Sequence, residues 1–133
     1  MAADGLITIR SCHGPMATMN RLETEVKAKG MTVFARIDHA AGAAAVGLSL
    51  RPTVLLIFGN AKAGTPLMQS MQTIGIDLPL KALVWEDASG VTWLTCNDPS
   101  WLAQRHELNL KLEAPVSAMA AALNAVTKAA TSS

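Results

Sequence analysis

Residues Thr53 to Phe58 read T-V-L-L-I-F, and this run constrains the fold more than any other segment. A strand that is apolar at nearly every position expects protein on both of its faces, so the run predicts a central strand of a sheet. Pro52 stands just before it, the one place where a central strand tolerates proline.

The flanking segments supply elements to surround that strand. Leu6 to Ile9 is β-prone and is broken by Ser11-Cys12-His13-Gly14-Pro15. Met16, Met19, Leu22 and Val26 then fall on one face of a helix over about residues 15–29, with Gly30 as its left-handed stop. Thr32 to Ile37 predicts a second strand, and Asp38 caps a short Ala-rich helix over 40–46 whose small side chains suit close packing on a sheet or a partner subunit. The strand ending at Ile37 and the strand ending at Phe58 are joined through this helix, so within one sheet the crossover rule makes them parallel.

Downstream, Gly59 to Gly64 has the composition of a loop, and Thr65-Pro66 predicts the cap and first residue of a third helix ending at Gly75. Leu80 to Glu86 and Val91 to Cys96 form a hairpin about Asp87-Ala88-Ser89-Gly90, with Glu86 beside Val91 and Leu80 opposite Asn97. Asn97-Asp98-Pro99 starts a short helix running to His106, and the alternation E-L-N-L-K-L-E over 107–113 fits an edge strand or an extended linker. A last helix covers about 115–129, followed by a frayed Thr131-Ser132-Ser133 tail. The expectation is therefore one α+β domain over residues 1–133, a mixed sheet with flanking helices in the order β-α-β-α-β-α-β-β-α-(β)-α.

Composition narrows the function. Half the residues are hydrophobic, 16% are charged and the formal charge is +1, so the chain has neither the composition of a disordered segment nor a field that would gather nucleic acid. Two Phe, three Trp and no Tyr leave few stacking platforms for single strands. No apolar run approaches the roughly 20 residues that span a bilayer, and the start M-A-A-D-G-L lacks the pattern of a secretory signal, so no membrane anchor and a cytoplasmic location are expected. Cys12 and Cys96 are expected as reduced thiols.

With parallel strands, Asp38, His39, Asn60 and Lys62 gather at one sheet edge, where open α/β sheets bind ligands, and Arg36 and Thr65 complete the expected polar pocket. Asp77, Lys81, Asn97 and Asp98 form a second polar group, whose union with the first depends on the direction of the hairpin, and Asp77, Lys81, Asn97 and His106 are further candidates for the pocket. Asp38 beside His39 can orient and tune a general base, although Asp38 is equally a good helix cap. The G-N-A-K-A-G-T loop over 59–65 is an incomplete phosphate loop: the lysine after Gly64 is missing and Pro66 removes a helix donor. Cys12, His13, His39, Cys96 and His106 show no paired ligand spacing, so no metal and no cofactor are expected. Trp85 and Trp93 fit cross-strand packing, and the seven methionines fit core filling or, more sharply, a hydrophobic pocket.

Several strings together are similar to the domain-of-unknown-function 302 family: V-F-A-R-I-D-H-A-A at 33–41, L-R-P-T at 50–53, F-G-N-A-K-A-G-T-P-L-M at 58–68 and D-L-P-L-K at 77–81. V-W-E-D at 84–87, N-D-P at 97–99 and R-H at 105–106 continue the resemblance, which spans a core of residues 6–106 and departs from the pattern at Ala61 and Cys96. The resemblance implies a compact α/β domain, often a homodimer, and no particular activity. The leading expectation is a small-molecule binding domain in which Lys62 and the loop amides hold an anionic group. The alternatives are an enzyme with His39 as base and Asp38 as its orienter, or an interaction module whose polar residues are caps.

Overall fold

In a computed structural model, which describes residues 3–133, burial alternates along the T-V-L-L-I-F run: Val54, Leu56 and Phe58 are buried, whereas Thr53, Leu55 and Ile57 are only half-buried. The run is therefore closed over on one face alone. The strands are β1 (Leu6–Arg10), β2 (Thr32–Asp38), β3 (Thr53–Gly59), β4 (Leu80–Glu86) and β5 (Thr92–Asn97). The helices are α1 (Pro15–Ala28), α2 (His39–Ala45), α3 (Ala61–Ser70), α4 (Pro99–Arg105) and α5 (Glu113–Thr131). The strands form one sheet in the order β1-β5-β4-β3-β2.

All four pairings are antiparallel, so the sheet is not mixed and the α+β domain is a helix layer on an antiparallel sheet. The expected parallel pair is reversed: α2 buries no side chain, so it is not the sheet-covering helix that a crossover uses. The chain turns back at the same end instead, and Asp38 pairs with Val54. Between Val33 and Ala35 the register slips by one residue, a bulge that turns Phe34 out of the regular alternation and leaves it 55% exposed.

The core lies between the sheet and two long helices. Met19, Leu22 and Val26 of α1 and Leu123, Val126 and Ala130 of α5 close on Leu56, Phe58, Val84 and Leu94. A smaller cluster of Leu67, Ile74 and Val116, with Leu108 and Leu112 against it, fixes the segment before α5. That segment is neither strand nor linker: Leu110–Leu112 is a 3₁₀ turn in which the Asn109 carbonyl oxygen of the side chain accepts from the Lys111 amide. The far side of the sheet carries Leu55, Ile57, Leu83, Trp85 and Trp93, all half-buried and none of them in a helix-covered cluster. The two indoles stack with centroids 6.3 Å apart, Trp85 donating to the Thr95 hydroxyl and Trp93 to the Asp87 carboxylate, each at 2.9 Å.

Local chemistry accounts for the remaining departures. The hairpin register is one residue off the expected one, with Glu86 opposite Thr92, because the Asp87 carboxylate takes the Ser89 and Val91 amides and so holds Val91 within the turn. The third helix begins five residues early, since Asn60 rather than Thr65 caps it by accepting from the Lys62 amide at 2.8 Å. Thr131 is not part of a frayed tail: it is buried, its carbonyl accepts from the Cys12 amide, and Arg21 donates to the carbonyls of Ala129 and Ser132. Gly5 has φ +82°, and the Trp101 ring lies 2.6 Å from where a Cβ would stand, so both the backbone and the contact require glycine.

Replacing fully buried Leu56 by Ala is expected to cost about 3 kcal/mol in urea unfolding, and Leu48→Ala, at a site 67% exposed, less than about 0.5 kcal/mol.

Candidate functional site

The antiparallel β2–β3 pair decides which polar residues can meet. Asp38 lies beside the start of β3, whereas Asn60 follows its end, so the two stand about 20 Å apart along the strand. The expected first polar group is thereby split. Asp38 caps α2 by accepting from the Ala41 amide at 2.9 Å, and His39 is exposed at that end. Arg36 faces the helix layer, donating to the Asn20 side chain at 3.0 Å and pairing with Glu23 at 3.5 Å. None of these three reaches the other end of the sheet.

At that other end Asn60, Lys62 and Thr65 line a groove of about 560 Å³. One wall is the first turns of α3 with Met68, another is α5 through Pro115, Ala118, Met119 and Ala122, and Leu78 and Pro79 close the side between them. The bulge in β2 places Phe34 here, beside Met31 and Lys29. Most of this surface is apolar, and Met31, Met68 and Met119 make it adaptable because thioether side chains repack at little cost. Pro66 lies inside α3 and cannot donate to the Lys62 carbonyl, which leaves that oxygen without its helical partner.

Behind the groove wall sits a hydrogen-bonded clasp. The Asp77 carboxylate accepts from both His106 Nε2, at 2.5 Å, and Arg105 Nη1, at 3.1 Å. The other ring nitrogen of His106, Nδ1, is hydrogen-bonded to the Thr73 hydroxyl at 3.2 Å. Lys81 donates to the carbonyls of Asp77 and Pro79, so the 77–79 turn is held from both sides. Burial pulls the Lys81 ammonium below the usual lysine range, opposed by the Asp77 charge. Asp77 and Lys81 thus meet, and His106 joins them from the end of α4, but they form a support for the turn and lie outside the lining of the groove.

Asn97 lies one step beyond the Ala82–Cys96 pair, next to Lys81 on the helix-free face, with its side-chain oxygen buried and unpartnered among the described residues. Asp98 caps α4 through the Ser100 amide. Cys96 is buried, and burial followed by the Asp98 charge pushes its thiol up to about 11, so it stays protonated at neutral pH. No group of three or more His, Cys, Asp or Glu suited to a metal ion exists among the described residues.

A profile of the family described as "Domain of unknown function DUF302" matches residues 7–127. The chain belongs to the DUF302 family. The match runs past residue 106 into α5, so the helix that forms one wall of the groove is part of the DUF302 domain. A solved DUF302 protein from Bacillus stearothermophilus has the same fold, with a TM-score of 0.84 at 22% identity over 96% of this chain and 99% of that one. Two Brucella proteins bearing the name fluoride-specific ion channel FluC 1, from B. suis and B. abortus, are each 52% identical over 93% of this chain. The chain spans about half the length of these relatives, 49% and 46% respectively.

Phe34, Met68, Met119 and Ala118 were not among the residues singled out for the DUF302 site. The methionine count was the one sequence signal pointing to Met68 and Met119, and none pointed to Phe34 or Ala118. For the clasp, Asp77→Ala and His106→Ala are each expected to cost about 1–2 kcal/mol in urea unfolding, and the double variant less than their sum. Arg105→Ala, whose side chain is half exposed, is expected to cost less than about 0.5 kcal/mol.

Proposed function

We propose that this DUF302 domain binds a small organic molecule in the groove between the start of α3 and α5. The observation that carries the reading is the groove itself: a concave, largely apolar site of about 560 Å³ with a few convergent polar groups, inside the size range of ligand sites. Asn60, Lys62 and Thr65 supply the polar contacts. Binding is favoured over catalysis because the Asp38 carboxylate is engaged in capping α2, and His39 stands at the opposite sheet end from the groove. A cytoplasmic location belongs to the proposal, and the two unpaired cysteines agree with a reducing compartment.

The Brucella relatives are named for fluoride conduction, and this chain matches about half of each. No helix among the described residues is long and apolar enough to cross a membrane. Our reading gives ligand binding to the DUF302 half and leaves conduction to the half that this chain does not match.

A thermal-shift screen of organic acids and neutral amphiphiles tests the groove. A compound at about a hundred times its dissociation constant should stabilise the protein by roughly 2.7 kcal/mol. Ala118→Trp, which fills the groove from α5, should abolish the shift; an undiminished shift in that variant places the site elsewhere.

A second reading concerns assembly. The helix-free face of the sheet, five strands about 4.8 Å apart, presents roughly 500 Å² in plan, and its indole and hydroxyl groups already have partners: Trp85 and Thr8 on the Thr95 hydroxyl, Trp93 on the Asp87 carboxylate. Such a face can be dried without orphaning those groups, and α2 together with Val46 and Leu48 adds further exposed apolar surface. We propose a homodimer with the two sheets face to face. Sedimentation velocity at tens of micromolar should show a dimer, and Leu55→Lys, with unchanged far-UV circular dichroism, a monomer; a monomeric wild type overturns this reading.

A further inference from the structure

We infer that the groove takes an amphipathic organic acid, one carboxylate on a hydrocarbon body, with Lys62 holding the head group. The inference rests on the groove being the ligand site and goes beyond it by naming the class of ligand.

Three observations converge. The charged side chains lining the groove are Lys29 and Lys62, and no acid accompanies them, although the whole chain carries ten acids against eleven bases. Among the described residues neither lysine is in an ion pair, whereas Lys27, Arg36 and Arg105 each have a carboxylate partner. Lys62 also sits in the first turn of α3, which contains no acidic residue. The helix dipole makes that turn the positive end, so a lysine there adds like charge to like. The arrangement is unfavourable for the empty protein, and an anion seated beside Lys62 relieves it.

The rest of the groove excludes a small, fully hydrated anion as the matching ligand. Inorganic phosphate would leave Phe34, Met68, Leu78 and Met119 facing water, whereas a hydrocarbon chain covers them and gains their contact. One carboxylate meets the lysine end and the chain lies along the thioethers, which adapt to chains of different shape.

Calorimetric titration of the full chain at pH 7, with each probe below its aggregation concentration, separates the possibilities. Decanoate is expected to bind, and decanol, of the same length without the charge, about tenfold or more weakly. Lys62→Met and Lys62→Gln should both bring decanoate to the level of decanol while decanol is unchanged, and raising the salt concentration should weaken decanoate alone. If decanol binds as well as decanoate, or the preference survives in the Lys29→Met, Lys62→Met double variant, the acid assignment is wrong and the groove still binds ligand. If neither probe binds the wild type, or if Ala118→Trp binds both undiminished, the groove reading falls and the acid assignment with it.

Discussion

One-sided burial of an antiparallel sheet is the constraint on which the rest of the structure depends. Alternate residues of β3, β4 and β5 project into a single layer occupied by α1 and α5, and Leu56, Phe58, Val84 and Leu94 are wholly removed from water there. Each such side chain contributes about 1.5–3 kcal/mol of transfer free energy, so the placement of both helices follows from that row of contacts. The groove is a by-product of the same geometry. α5 reaches the sheet through Leu123, Val126 and Ala130, and Pro115, Ala118, Met119 and Ala122 of its earlier turns form a wall of the groove across from α3.

Much of this was legible in the sequence, for identifiable reasons. Strand and helix periods are local, so β4 and β5, to within one residue of register, α1 with Gly30 beyond it and the Asp98 cap of α4 stand where pattern and punctuation put them. The direction of β3 relative to β2 was not legible, because a helical pattern between two strands looks the same whether or not the helix packs on the sheet. The helix over His39–Ala45 buries no side chain. At the start of α3 two residues could cap, Asn60 and Thr65, and sequence has no means of ranking them before the end of β3 is placed.

The candidate site divides along the same line. Asp77, Lys81, Asn97 and Asp98 were grouped through the hairpin; Lys81 does reach the Asp77 carbonyl, whereas His106, which meets the Asp77 carboxylate from the end of α4, is placed by tertiary packing that no count across the turn supplies. Asp38 and His39 were joined to Asn60 and Lys62 by an assumed strand direction, and that assumption failed with the direction. Phe34 was invisible as a site residue because a bulge has no reliable sequence mark. Its neighbours Val33 and Ala35 alternate as in any strand.

The bulge at Phe34 also bears on how copies of this domain can meet. β2 is an edge strand, and an edge strand normally offers an unbroken row of amides and carbonyls to which another chain can add. At Phe34 that row loses its regular spacing, and the opposite edge, β1, is only five residues long and ends on Arg10. Strand-by-strand growth into a fibre is therefore poorly templated from either side, and a sheet rich in valine, leucine and tryptophan can stay in solution without its edges being sealed.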